Sequence, residues 1–155
     1  MQPYTLPVFG YGDESGYNVN GAFDNWGVSN CLEQATYPHY VGVWGLKLQH
    51  DIQKHFGVPT AIVNVAKRGT TISEHLIGLG GEYDLTSIFG RANYRITKAG
   101  LENSVKGLIW YQGESDQGST LVHNYTNSFT SLYEDLESAF KVGQYYVVQV
   151  HPNCP

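Results

Sequence analysis

Basic residues are scarce in this chain. Nine Lys and Arg stand against 14 Asp and Glu, leaving a net charge of −5 over 155 residues, and they never gather into a run. Binding to nucleic acid needs a basic stripe that displaces counterions, so the composition argues against that class. Long apolar runs are also missing; no stretch approaches the roughly 20 residues that span a bilayer. The opening segment MQPYTLPVFG has neither a basic n-region nor an apolar h-region. It is therefore not expected to be a signal peptide, and a mature or truncated chain would look the same. Cysteine is limited to Cys31 and Cys154. Neither sits in a C-x-x-C pair, which argues against structural zinc, while one long-range disulfide and two separate thiols stay open as alternatives.

Hydrophobic residues make up 41% of the chain and charged residues 15%, the balance of a globular domain rather than a disordered one. A chain of 155 residues corresponds to one domain with enough length for a real core. Aromatic residues reach 14%, with 12 Tyr and 3 Trp, which suits a carbohydrate-handling surface and equally an ordinary core.

Residues 1–36 are rich in Gly, Asn, Asp and Ser and show little period, so they are expected to be loop, with one short strand at Leu6–Phe9. A loop of this length in a compact domain points to a function. A helix follows, in which Tyr40, Trp44, Leu48, Ile52 and Phe56 recur every four residues, with Val41 and Val43 beside them. Gly57 and Pro59 stop it. Thr60–Val65 is a β-branched run of the kind found in buried parallel strands, and it ends in the turn AKRGTT. A short helix is expected from about Ile72, with Ser73 and Glu74 in its first turn. Further helices are expected over Ser87–Ala99, closed by Gly100, and over Leu121–Phe140, with Tyr125, Phe129, Leu132, Leu136 and Phe140 on one face. Between and after them come the strands Val105–Tyr111 and Gln144–Val150. Strands separated by helices predict an α/β fold with a parallel sheet. The chain is expected to form one domain over residues 1–155, with 1–36 a loop-rich leading segment and 37–155 the α/β core.

Ligands of open α/β sheets bind beyond the carboxyl ends of the strands. Two strand ends carry unusual residues: VNVAKRGTT (Val63–Thr71) and GLIWYQGESDQG (Gly107–Gly118). The segment WYQGESD (Trp110–Asp116) resembles the third block of the SGNH-hydrolase superfamily. It is similar in particular to the W-x-Q-G-E segment of the sialate O-acetylesterase-like branch, related to carbohydrate esterase family 6. NVAKRGTTI (Asn64–Ile72) resembles the second block, in which a glycine follows a strand. The resemblance spans roughly residues 40–150.

That resemblance implies a three-layer α/β/α sandwich of SGNH, flavodoxin-like type. It implies a serine esterase that removes acetyl groups from carbohydrate through an acyl-enzyme. The Gly69 backbone N–H and the Gln112 side-chain amide would help stabilise the tetrahedral oxyanion. Glycine suits a backbone that must approach substrate closely, and a glutamine amide offers two N–H donors without charge. Glu114 would support the site loop or orient the histidine. No cofactor is implied. The implied partner is an acetylated carbohydrate, with neither nucleic acid nor membrane, and the implied location is secreted or periplasmic. Each residue also has a structural alternative. Gly69 suits an ordinary turn after a strand and Gln112 a nearby helix cap. Glu114 suits a solvated loop, Arg68 the surface, and Ser115 and Asp116 the start of the next helix. Trp110, on a central strand, is most simply core.

The mechanism needs a serine and a histidine, and the family's G-D-S or G-Q-S-N and D-x-x-H blocks are not evident. Ser15 in YGDESG follows an inserted glutamate, and Ser29 in WGVSN stands in a G-x-S-N frame after a poor strand; both are weak nucleophile candidates. None of the six histidines fits D-x-x-H. His151 follows the last strand, whereas His39, His50, His55, His75 and His123 lie in or beside helices. Truncation at both ends would account for this, with the missing blocks expected outside the chain. Asp13, Glu14 and Asp24 share a loop but lack calcium-ligand spacing, and P-loop, dinucleotide-fingerprint and H-E-x-x-H motifs are missing. Two alternatives remain for the function. One is a non-catalytic glycan-binding or structural remnant of the fold. The other is a two-carboxylate glycosidase using Glu114, which leaves Gly69 and Gln112 without a role.

Overall fold

A computed structural model describes residues 4–7, 27–29, 31, 41–117 and 124–150, arranged in two compact units, Met1–Ala66 and Lys67–Pro155. The fold is mixed α/β with parallel strand pairs.

In the first unit, β1 (Tyr4–Pro7) is the central strand. It pairs in parallel with β3 (Ala61–Asn64), from Tyr4 opposite Ala61 to Pro7 opposite Asn64. It pairs antiparallel with β2 (Gly27–Val28). The antiparallel edge departs from the all-parallel expectation, and β1 begins two residues before the predicted strand. The helix α1 (Gly42–Phe56) ends at Gly57 in a left-handed conformation, with Lys54 in the last turn, where a cation complements the helix dipole.

The buried side of α1 is not the predicted one. Trp44 and Phe56 are 58% and 76% exposed, whereas Val41, Gly45 and Gln49 are buried. The cause is close approach. A Cβ on Gly45 would stand 3.3 Å from the Ile62 side chain, so the helix lies against β3 through its smallest residue. One turn further on, Gln49 Nε2 donates to the Thr60 carbonyl at 3.1 Å, at the start of the same strand. A buried amide with a backbone partner and a glycine contact have prevailed over the bulkier stripe about 100° away.

In the second unit, β4 (Leu108–Trp110) and β5 (Tyr145–Val147) pair in parallel, Leu108 opposite Tyr145 and Trp110 opposite Val147. The helix α3 (Tyr125–Phe140) connects them, as the alternation predicted. Leu132, Leu136 and Phe140 are buried, which matches the expected stripe, and Phe140 stacks on Phe89 at 6.0 Å. Burial of a side chain such as Phe140 contributes about 1.5–3 kcal/mol. Tyr133 and Phe129 of α3 reach Tyr145 and Trp110, and the Tyr145 hydroxyl donates to Glu137 Oε1 at 2.7 Å. On the opposite face of this pair, Ile109, Tyr111, Tyr146 and Val148 are exposed. The helix α2 (Ile88–Lys98) starts at Ser87, whose Oγ accepts from the Gly90 N–H. The short helix expected near Ile72 is a 3₁₀ turn over Ile72–His75, closed by reciprocal bonds between Thr71 and Glu74. A second 3₁₀ turn, Glu114–Asp116, follows β4.

Candidate active site

The second unit brings residues 67–71, the end of the first strand-end segment, against the second segment. Beyond β4 the chain turns at Gly113, where φ is +144°, a region that residues with a Cβ avoid. The turn leaves Gln112 half-buried, and its amide nitrogen donates to the Thr70 carbonyl at 2.8 Å. Thr70 follows Gly69 directly, so the amide is tied to the glycine turn across 42 residues of sequence. The second amide hydrogen goes to Asp116 Oδ2 at 2.5 Å. The same carboxylate accepts the backbone N–H of Ile72 at 3.1 Å. Asp116 is only 2% exposed and so acts as a buried pin between the two segments.

The other side of Gln112 is held by Tyr125, the first residue of α3. Its hydroxyl donates to Gln112 Oε1 at 2.9 Å, with the Gln112 carbonyl at 3.1 Å, and accepts from Trp110 Nε1 at 3.1 Å. Burial raises the pKa of this phenol, so the proton needed for donation stays on the oxygen. The Trp110 ring lies between His75, edge-on at 5.1 Å, and Phe129 at 5.9 Å.

His75 closes the network from below. Its Nε2 is 2.8 Å from Thr70 Oγ1. The same hydroxyl lies 3.0 Å from the Lys67 carbonyl, so Thr70 Oγ1 links the imidazole to the main chain of the glycine turn. Burial pushes the imidazole pKa down, opposed by Glu74 and Asp116 and assisted by Lys67. His75 is thus a neutral brace beneath the glycine turn.

An open cleft of about 700 Å³ lies over these groups, with Gln112, Gly113, Asp116 and Tyr125 on one side and Val148 and Val150 on the other. It stands at the carboxyl ends of β4 and β5, where the sheet rule puts ligands. Gly69 is exposed with φ +70°, and Arg68 is exposed. Glu114 is exposed at the start of its 3₁₀ turn. Ser29 belongs to the first unit, follows β2 and is 6% exposed. His50 and His55 are exposed on α1. Ser15, His39, His123, His151, Cys154 and the Asp13, Glu14 and Asp24 group lie outside the described residues, and Cys31 is exposed with a free thiol among those described.

Sequence reasoning underrates Asp116, Tyr125, Thr70 and His75. By local pattern Asp116 starts a helix in solvent, Tyr125 fills a core stripe, and His75 is an incidental helical residue. Their bonds cross 42 and 44 positions for Gln112–Thr70 and Asp116–Ile72, beyond the reach of any local pattern. Among the described residues no helix is long and apolar enough to cross a membrane, and no group of three or more His, Cys, Asp or Glu could hold a metal ion.

Comparison with known proteins bears on the family. No curated protein and no solved structure matches the chain. A family model described as carbohydrate esterase, sialic acid-specific acetylesterase, matches residues 39–153, a span that includes β4, the Gln112 turn and the glycine turn. The chain therefore belongs to the sialic acid-specific acetylesterase family of carbohydrate esterases, within the SGNH-hydrolase group.

Proposed function

We propose that this chain hydrolyses acetyl esters on carbohydrate by a serine acyl-enzyme route, with the Gly69 N–H and the Gln112 amide as oxyanion donors and Glu114 as a supporting acid. The observation that carries this reading is the 2.8 Å bond from Gln112 Nε2 to the Thr70 carbonyl, which joins the strand-end amide to the turn that contains Gly69. Family membership supplies the ester chemistry and the carbohydrate substrate class. The same reading carries a three-layer α/β/α sandwich and a secreted or periplasmic location.

The chemical logic concerns charge. Attack on an acetyl carbonyl moves negative charge onto its oxygen, and fixed N–H dipoles beside that oxygen lower the barrier. Gln112 has two hydrogens, both engaged, one with Thr70 and one with the Asp116 carboxylate. Donation to an oxyanion means sharing or exchanging one of them as charge develops. The exposed Gly69 backbone, with open space where a Cβ would stand, leaves room for a substrate to approach.

The full chain tests this with 4-nitrophenyl acetate, an O-acetylated sugar and a fluorophosphonate that traps reactive serine. Turnover of both esters and one labelled serine are expected. Gln112→Ala should then lower kcat about 100-fold, the typical loss of one oxyanion donor. No turnover and no label would sink the esterase reading and favour a glycan-binding member of the family. Mapping the label by mass spectrometry decides between Ser29, Ser15 and any other nucleophile.

A further inference from the structure

We propose that Tyr125 is a positioning residue for Gln112: its hydroxyl, held by the Trp110 indole, fastens the oxygen end of an amide whose nitrogen end faces the Thr70 carbonyl and the Asp116 carboxylate. The inference builds on the proposed oxyanion role of Gln112, but its core is a statement about hydrogen-bond direction. A primary amide is nearly symmetric in shape, and a half-turn exchanges its oxygen and nitrogen. On one side of Gln112 stand two acceptors, the Thr70 carbonyl at 2.8 Å and Asp116 Oδ2 at 2.5 Å. On the other stands the Tyr125 hydroxyl at 2.9 Å.

A hydroxyl can donate or accept, so Tyr125 alone would tolerate either orientation. Trp110 narrows that freedom. Its indole N–H can only donate, and it donates to Tyr125 Oη at 3.1 Å, which leaves the phenol proton for Gln112, where Oε1 at 2.9 Å and the main-chain carbonyl at 3.1 Å both stand as acceptors. The indole is itself held between His75 and Phe129, so the direction passes from a packed ring to a hydroxyl to an amide. The amide is thus held at both ends, its hydrogens toward the glycine turn and Asp116 and its oxygen at Tyr125. Neighbouring bonds aligned donor to acceptor also polarise one another. The Tyr125 oxygen is 3.9 Å from where a Cβ on Gly113 would stand, so the turn that presents Gln112 is bounded by the same hydroxyl.

Tyr125→Phe in the full chain keeps the ring and removes the hydroxyl. The direct readout is the side-chain amide pair of Gln112 in a ¹⁵N spectrum, assigned by its loss in Gln112→Ala. In the native chain the two protons should be well separated and slow to exchange. In Tyr125→Phe their exchange should quicken by about tenfold or more while the backbone spectrum is retained. Exchange within about twofold of native would overturn the proposal. Trp110→Phe, which keeps Tyr125 but removes the indole donor, should shift the same pair in the same direction; it decides the matter independently if the first variant does not fold. Where the native chain turns over 4-nitrophenyl acetate, Tyr125→Phe should lower kcat about tenfold and leave KM within about twofold, as expected for an interaction that matters in the transition state. An unchanged kcat would overturn the positioning role while the esterase reading stands. A native chain without turnover sinks the esterase reading instead, and the amide exchange still decides Tyr125.

Discussion

Asp116 accepts the Ile72 N–H at 3.1 Å and the Gln112 amide at 2.5 Å while almost fully removed from water. The two donors belong to segments that must meet for the candidate site to exist, so the carboxylate pins that meeting alongside the Gln112–Thr70 bond. Removal of the carboxylate leaves the buried Ile72 N–H without an acceptor, costing about 1–3 kcal/mol, and releases one hydrogen of the half-buried Gln112 amide. Asp116→Ala is therefore expected to lose several kcal/mol in urea unfolding. Asp116→Asn keeps one acceptor oxygen but loses charge assistance and is expected to lose less, about 1–2 kcal/mol. An alanine variant within about 0.5 kcal/mol of native would show that Asp116 is not this pin. The aspartate is visible in the sequence as part of a strand-end segment. Its partner Ile72, 44 residues earlier, is not, because nothing local ties a carboxylate to a distant backbone N–H.

Among the elements, α2 shows how tightly an entrance to a helix can be specified. Ser87 accepts the Gly90 N–H at 2.9 Å, and its own hydroxyl donates to the Asp84 carbonyl at 2.9 Å. The chain before the helix lies directly over Gly90, where a Cβ would stand 2.1 Å from the Asp84 carbonyl oxygen. Backbone cannot swing aside as a side-chain tip can. Gly90→Ala is thus expected to cost more than Ser87→Ala, which should cost about 1 kcal/mol, the usual loss of a helix cap. Chemical denaturation of the two variants checks the order, and a Gly90→Ala protein as stable as native would refute the close approach. The start of the helix at Ser87 is legible in the sequence; the reason for glycine three residues later is not. The helix α1 teaches the same lesson from the other direction. Its period and its ends are evident in the sequence, yet the buried side is chosen by Gly45 against Ile62 and by Gln49 bonding to Thr60.

For the whole molecule, the most informative variable is pH. His75 sits buried and neutral beneath the glycine turn, and its pKa lies below the ordinary value of about 6.5, chiefly because burial disfavours the charged ring. Between the folded and unfolded pKa values the unfolded chain binds more protons than the native one, so stability rises with pH in that window. The contribution is complete above about pH 6.5 and is lost as pH falls through the folded value. His75→Gln removes the titrating group. The stability advantage of native over this variant should shrink as pH is lowered from about 7.5 toward about 5 in urea titrations. A constant difference across that range would contradict the assignment.

The sequence by itself determined the alternation of helices and strands, the helix periods and stops, and the two strand-end segments that carry the family pattern. These depend on local propensity, spacing and turn chemistry, which a chain displays without folding. Net charge, with its argument against a nucleic-acid partner, likewise needs no coordinates. Only the tertiary structure decided which face of α1 is buried, that β1 has an antiparallel neighbour in β2, and that Gln112 is held between Tyr125 and Asp116. Those outcomes rest on contacts that no local pattern displays, such as the strand β1 beside β2 and the Gln112 amide on the Thr70 carbonyl 42 residues earlier. There the energies of close packing and of buried hydrogen bonds exceed the preferences of any single segment.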